Sequence, residues 1–269
     1  MTESERGLPH YLRMALVLLA LLAAVIVPLI FVFGAFTVKF NLLSWRTGLD
    51  LVVTWLPRAA FSALALGILS FVLSIFIRPR GRGLPLAALA IVIPGAVLFQ
   101  AAQIKAAAQA VPPIHDISTD MQNPPHFSQA LIALREASGA ENSLDYEGKS
   151  VNRDGDPRQV SELQRQAYPD IKPIALNAEP QAAFDAAMRA AQSLDWTVQY
   201  ADPNAGRIDA TDSSFWFGFK DDVAIRISLA QGGGSIVDVR SVSRVGVSDI
   251  GANVERIRAF REALTARIS

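Results

Sequence analysis

Hydrophobic residues follow two different patterns along the chain. In the first part they form three continuous apolar runs, which cover residues 13–36, 57–77 and 84–104. Each run can cross a bilayer as a helix, which needs about 20 residues. A proline lies inside the first and the third run, and membrane helices tolerate such prolines. The pattern therefore predicts a membrane domain over residues 1–108 with three transmembrane helices.

From about Tyr168 onward, apolar residues instead alternate with polar ones or recur at helical spacing. The predicted elements are a strand over 171–176, a helix over 180–194, four strands over 196–240 and a helix over 250–268. Gly232–Gly234 predicts a hairpin between the last two strands, and Ser248 or Asp249 is the expected N-cap of the last helix. This order predicts an α+β fold, in which an antiparallel sheet of about five strands is covered on one face by two helices.

Alternation also predicts which side chains of the third of these four strands are buried. Phe215, Phe217 and Phe219 share one face of the chain. We expect this face to belong to the core, so that Trp216 alone projects outward, where it is free to contact a ligand, a membrane or a partner.

The final hairpin brings charged residues together in the predicted register. Pairing Gln231 with Ser235 across the glycines sets Arg226 opposite Arg240, with Asp238 on the diagonal. Two like charges directly opposite each other are destabilising unless a negative group lies between them. The alternatives are a solvated sheet face of mixed charge and a polar docking face. The docking face would consist of Arg207, Arg226, Asp238, Arg240 and Arg244.

Between the two parts, residues 109–127 contain four prolines and predict a stiff, extended linker. An exported soluble domain over residues 128–269 follows, with short helices over 128–138 and 159–167 and an exposed loop over 139–157. The linker also contains possible metal ligands, which are His115, Asp116, Asp120 and His126. Because the prolines impose no helical ligand spacing, we favour a solvated linker and expect no metal and no cofactor.

The two parts differ in charge as well. The first 108 residues carry nine Lys and Arg against three Asp and Glu, and the rest carries sixteen against twenty-two. The strongest basic cluster, at Arg78, Arg80 and Arg82, follows the second apolar run, and basic loops stay cytoplasmic. We therefore expect a bacterial inner-membrane protein with a cytoplasmic N terminus and a periplasmic C-terminal domain. The absence of cysteine fits an oxidising compartment, and the acidic C-terminal part argues against nucleic acid.

Small polar and charged residues are concentrated between Asp238 and Arg258. The candidate binding residues in and near this run are Asp221, Asp222, Arg226, Arg240, Ser241, Ser243, Arg244, Ser248, Asp249 and Asn253. One interpretation is a corner that binds an envelope protein or a polar or anionic ligand. The alternative is an envelope hydrolase, in which one of the serines between 241 and 249 acts with Asp249. No histidine follows His126, so the usual base for a serine is missing and we expect no catalytic residue.

Two segments carry a resemblance to a known family. Phe219–Asp222, and Val239–Asn253 with Arg256–Ile257, resemble the signature of the bacterial family called domain of unknown function 1499. The resemblance covers about residues 168–268. It implies an envelope protein, often membrane-anchored, and it assigns no chemistry to the signature positions. Many members have cysteines at the start of the domain and this chain has none, so nothing that depends on them carries over.

These observations together lead to one expectation about function. Three helices in the lipid bilayer hold an exported α+β domain, and this domain acts as a non-catalytic binding or envelope-associated module.

Overall fold

The computed structural model describes residues 8–77, 80–146, 149–153 and 156–268. They form two units, of which the first contains the chain up to Ala107 together with the segment Phe215–Gly218, and the second contains the remainder. The first unit is helical. Its helices are α1 (Leu8–Lys39), α2 (Trp45–Asp50), a π-helical segment (Leu51–Trp55), α3 (Leu56–Phe76) and α4 (Leu84–Ala110).

Three stretches of helix in this unit are long and apolar enough to cross a membrane, over Pro9–Lys39, Trp45–Phe76 and Leu84–Ala110. The prediction of three such helices is confirmed, although each is longer than the apolar run that predicted it. Small residues let the helices approach closely. A Cβ on Gly67 of α3, for example, would lie 2.5 Å from the carbonyl oxygen of Ala90 in α4.

The second unit is built on one antiparallel sheet. Its elements are β1 (Asp116–Ser118), α5 (Gln129–Ala137), β2 (Ser150–Arg153), β3 (Asp156–Gln159), α6 (Val160–Ala167), β4 (Ile174–Leu176), α7 (Pro180–Ser193), β5 (Thr197–Asp202), β6 (Arg207–Ser213), β7 (Lys220–Leu229), β8 (Ser235–Ser243) and α8 (Ala252–Thr265). The strands follow the order β1-β8-β7-β6-β5, and β4 pairs with the other end of β8. The predicted α+β fold and the predicted order of its core elements are confirmed.

Helices α7 and α8 cover one face of this sheet, as alternation predicts. Apolar residues of β7 and β8, such as Val223, Ile225 and Val239, are fully buried in one cluster with Ala187 of α7 and Phe260 of α8. The helical stripe of α7 is made largely of alanine, which allows the helix to lie close to the sheet.

The opposite face of the sheet is covered too, which the sequence pattern did not indicate. Phe127 and Leu131, at the start of α5, pack on Ala224 of β7 and Val242 of β8 in a second buried cluster. The predicted short helices over 128–138 and 159–167 are present as α5 and α6. The loop predicted over 139–157 is not wholly irregular, because it contributes strand β2 and the start of β3.

The segment predicted as a solvated linker is partly folded into the second unit. Asp116–Ser118 form β1, which pairs with Arg240–Val242 of β8. Ile114, Ile117 and Thr119 are buried. The prolines do keep the chain extended, but an extended chain beside an open sheet edge gains ladder hydrogen bonds, and the edge of β8 supplies them here.

The register of the final hairpin differs from the prediction by two residues. Leu229, rather than Gln231, pairs with Ser235, and Arg226 therefore faces Asp238 directly. A longer loop closes the hairpin, with the amide of Ala230 bonded to the carbonyl of Gly234 at 3.0 Å. A shift by two preserves which side chains share a face, and it replaces the predicted pair of like charges by an ion pair.

The prediction for residues 215–219 is wrong. These residues form a loop between β6 and β7, and Phe215 is 71% exposed. The loop is closed by the amide of Ser214, which donates to the carbonyl of Phe219 at 2.8 Å. Alternation of aromatic residues is therefore not a sign of a strand here, because Gly218 takes a left-handed φ of 66° and interrupts the extended chain.

Candidate functional site

The ten candidate binding residues lie on the last two strands and at the start of α8. Strand parity separates them, because successive side chains of a strand point to opposite faces. Arg226, Arg240 and Arg244 point toward α5 with Asp222, whereas Ser241 and Ser243 point toward α8 with Asp221. The set therefore forms separate clusters of buried polar groups.

The first cluster surrounds Asp116, which is fully buried. Arg240 donates to both of its carboxylate oxygens, from Nε at 3.0 Å and from Nη2 at 2.8 Å. Lys149 donates to Oδ2 at 2.7 Å. The guanidinium of Arg240 also lies between two aromatic rings, 5.4 Å from the centre of Phe127 and 5.3 Å from that of Tyr146. This arginine, 1% exposed, therefore has no surface to offer a ligand.

The second cluster surrounds Asp222, which is also fully buried. Arg135 of α5 donates to Oδ2 at 2.6 Å, and Arg244 donates to Oδ2 at 2.8 Å and to Oδ1 at 2.7 Å. The hydroxyl of Thr211 donates to Oδ1 at 2.7 Å. Burial lowers the pKa of Arg135, against the attraction of Asp222. This carboxylate joins α5 to three neighbouring strands.

The third cluster lies on the other face, around Asn253 of α8. Its amide nitrogen donates to the hydroxyl of Ser243 at 3.0 Å, and its amide oxygen accepts a short bond from the hydroxyl of Ser241. Arg256 donates to that same oxygen at 2.6 Å and to Asp221 at 2.7 Å. Both serine hydroxyls are therefore engaged with an amide that α8 supplies.

Arg226 is the most accessible arginine of the candidate set, with 29% of its side chain exposed. It donates to Asp238 at 2.8 Å and to Asp120 at 3.0 Å. Thr119 donates to the other oxygen of Asp238 at 3.2 Å. The aspartates that suited a metal by residue type, Asp116 and Asp120, are thus held by two different arginines.

The start of α8 differs from the prediction. The N-cap is Gly251, with a φ of 85°, and not Ser248 or Asp249. Asp249 nevertheless does the capping, since its carboxylate accepts from the amides of Gly251 at 2.8 Å and Asn253 at 2.9 Å. Burial raises the pKa of Asp249, and these two amides oppose the shift.

The linker brings the backbone of His115 next to these serines. The amide of Ser243 donates to the carbonyl of His115 at 3.0 Å, and so does the side chain of Asn253 at 3.1 Å. The ring of His115 lies with Nδ1 at 3.4 Å from the carbonyl of Val247. Burial, and then the charge of Lys149, lowers the pKa of His115.

The third cluster reaches the surface at an open cleft of about 280 Å³ beside α8. Its lining residues are Leu194, Trp196, Asp212, Ala252, Glu255, Arg256 and Ala259. Arg256 belongs both to the cleft and to the cluster, and its Nε donates to Asp212 at 2.9 Å. At this cleft the third cluster is accessible from solvent.

Several partners of the candidate residues escaped the sequence analysis. They are Asp116, Asp120, Arg135 and Thr211. The sequence contains one signal for β1. Alternation permits a strand over Asp116–Ser118, with one face formed by Ile114, Asp116 and Ser118 and the other by His115 and Ile117. The ion pairs themselves join residues as far as 124 positions apart, so no local pattern indicates them.

Comparisons with known proteins identify a family for this chain. The family model described as "Protein of unknown function (DUF1499)" matches residues 116–264, more than half of the chain. The match begins with the first residue of β1 and ends in α8, so it includes all three clusters. A search of curated proteins returned no match. The chain belongs to the DUF1499 family.

Proposed function

We propose that this chain is a bacterial inner-membrane protein whose periplasmic domain is a non-catalytic binding module of the cell envelope. The proposal rests on the three clusters, which we call the polar corner. Their arginines and aspartates are buried and paired with one another. This network holds α5, α8 and β1 on the sheet and so gives the domain a rigid surface. Catalysis by a serine would instead require a hydroxyl beside a base.

The hydroxyls support a structural role for the serines. Ser241 and Ser243 bond to Asn253, and the hydroxyl of Ser248 accepts from the amide of Ile250 at 3.2 Å. Among the residues that the structure describes, no hydrogen bond joins these hydroxyls to a His or Lys side chain. A serine-reactive probe should therefore leave the purified protein unlabelled. Labelling that disappears in Ser243→Ala would instead establish the hydrolase.

The charges favour a protein partner over an anionic ligand. The contacts around the corner join six cations to six carboxylates, which are Arg135, Lys149, Arg226, Arg240, Arg244 and Arg256, and Asp116, Asp120, Asp212, Asp221, Asp222 and Asp238. These cations are already neutralised, and an anion would have to displace a carboxylate that is held by two or more donors.

The cleft beside α8 is the surface that we assign to this partner. Trp196, Asp212, Glu255 and Arg256 are among its lining residues, and tryptophan and arginine are enriched in the residues that dominate protein interfaces. The side chain of Glu255 is 71% exposed and belongs to none of the three clusters, so it can be changed without opening the network.

A photo-crosslinking amino acid at Ala252, which lies exposed in the cleft, tests this assignment in cells. The matched control is Ala182, which is also exposed, on α7. We expect a discrete adduct at Ala252 that is absent at Ala182 and is lost with Glu255→Lys. The same adducts at both positions, or an adduct that survives Glu255→Lys, would contradict the assignment.

The proposed orientation has its own test, because the chain contains no cysteine. Gln231→Cys, in the β7–β8 hairpin, should react with a membrane-impermeant maleimide in cells with a permeabilised outer membrane. Arg80→Cys, between the second and third spans, should react only after lysis. The reverse result would place the domain in the cytoplasm.

A further inference from the structure

The loop between β6 and β7 exposes large aromatic side chains. Phe215 is 71% exposed and Trp216 is 44% exposed. Soluble surfaces seldom expose neighbouring rings of this size unless the rings have something to bind. Neither ring belongs to the buried core of the sheet.

This loop belongs to the unit that contains the apolar helices. The ring of Trp216 meets Phe31 of α1 edge-on, with centroids 5.2 Å apart, and lies 6.4 Å from Phe36. Lys39, the last residue of α1, donates to the backbone carbonyl of Phe215 at 2.7 Å and lies 4.8 Å from its ring centre. Trp beside Lys at the end of a spanning helix is the composition of a membrane–water interface.

A second exposed apolar pair follows β8. Val247 is 79% exposed and Ile250 is 47% exposed, and both lie in the loop before α8. This loop and the β6–β7 loop lie at the same end of the sheet, since the amide of Arg244 donates to the carbonyl of Lys220 at 3.0 Å.

The chain also enters the second unit at this end of the sheet. Helix α4 ends at Ala110 and β1 begins at Asp116, so the connection spans roughly 20 Å at most. The amide of Ser243 donates to the carbonyl of His115, which places the entry point beside the end of β8. The exposed apolar loops therefore lie at the end of the sheet where the chain arrives from α4.

We infer that two loops bind lipid, the β6–β7 loop through Phe215 and Trp216 and the loop before α8 through Val247 and Ile250. They enter the interface between headgroups and acyl chains in the leaflet where α1 ends. The aromatic rings and aliphatic side chains lie among the acyl chains, and Lys39 stays at the level of the phosphates, as interfacial aromatic and basic residues do. The partner is the phospholipid surface itself, and this inference does not depend on the binding function proposed above.

Site-directed spin labelling of the full chain in nanodiscs of phosphatidylethanolamine and phosphatidylglycerol tests the inference. Single cysteines at Phe215, Val247 and Ile250 carry the label, and Gln231→Cys at the opposite end of the sheet is the control. Because Lys39 holds the backbone of Phe215, the label replaces only the ring. The ratio of oxygen to nickel-chelate accessibility should rise several-fold at the three test positions over the control.

Two results would overturn the inference. Accessibility ratios equal to that of Gln231 would show that the loops lie in water. Protection from both reagents, accompanied by dipolar coupling between labels, would show that a second copy of the chain covers them. The Trp216→Ala variant supplies an independent measurement, because loss of this ring should lower the ratio at Val247 toward that of the control while circular dichroism stays unchanged.

Discussion

Replacing Arg240 by alanine is the sharpest test of the polar network. Its guanidinium donates to both oxygens of Asp116 and to the carbonyl of Leu144, and it is 1% exposed between two rings. The substitution leaves the fully buried Asp116 with Lys149 as its one charged partner among the described residues. A carboxylate that loses most of its hydrogen bonds in the interior pays the desolvation cost without compensation.

The expected loss of stability is about 3–5 kcal/mol, the usual cost of breaking a buried ion pair by removing one partner. A domain of this size is stable by roughly 5–15 kcal/mol in total, so the variant should fold only marginally. Asp116→Ala combined with Arg240→Ala should cost less than the sum of the two single changes, by about 0.5–3 kcal/mol, because the double variant leaves neither charge without the other.

Urea unfolding of the detergent-solubilised chain measures these losses. Trp196 reports on the core, since its ring stacks on Phe260 at 5.4 Å, and the other three tryptophans are replaced by phenylalanine in every protein compared. Arg189→Ala is the matched control. That arginine is exposed on α7 and makes no hydrogen bond or ion pair with another described residue, so we expect a change within about 0.5 kcal/mol.

A loss of stability below about 1 kcal/mol for Arg240→Ala would refute the reasoning, because exposed ion pairs at the surface already contribute that much. A double variant that loses as much stability as the two single variants together would also count against it. The interaction between Asp116 and Arg240 would then contribute no stability of its own.

Two further predictions concern the sheet. Gly234→Ala should destabilise the protein by about 2 kcal/mol or more in the same urea assay. The reason is that φ is +79° and the new Cβ would lie 2.4 Å from the carbonyl oxygen of Leu176. The control Gly232→Ala, at φ +100°, places its Cβ in open space and should cost distinctly less. Burial raises the pKa of Asp209 above its ordinary value, so its ionisation costs stability as pH rises. Asp209→Asn should therefore gain stability relative to the wild type as the pH rises above that ordinary value. Asp170→Asn should show the opposite trend, because the hydrogen bond from an arginine lowers the pKa of Asp170; equal trends for both variants would contradict the assignment.

Local periodicity was sufficient for most elements of the core and for the faces of β8. Ser241 and Ser243 share one face of β8 and Arg240 lies on the other, as alternation predicted, because the side-chain period of a strand is a property of the backbone alone. The hairpin register was not sufficiently determined, since a shift by two keeps every residue on its face and only the loop length distinguishes the alternatives.

The failure at residues 215–219 has a similar cause. Apolar residues at alternate positions predict a strand only when something covers their common face, and the β6–β7 loop extends beyond the sheet. The same aromatic residues therefore indicate either a core strand or a membrane-interface loop, and periodicity does not distinguish a protein interior from a lipid interior.

By itself, the sequence determined the three apolar helices, the α+β class, the division of β8 into two faces and the family. Only the tertiary structure decided the meaning of the outward face, where residues 116–146 and Lys149 surround the arginines that sequence left open to solvent. The reason is physical. Helix and strand periods follow from neighbouring residues, whereas the partner of a charge such as Arg240 is chosen by the whole fold, across 124 positions of the chain.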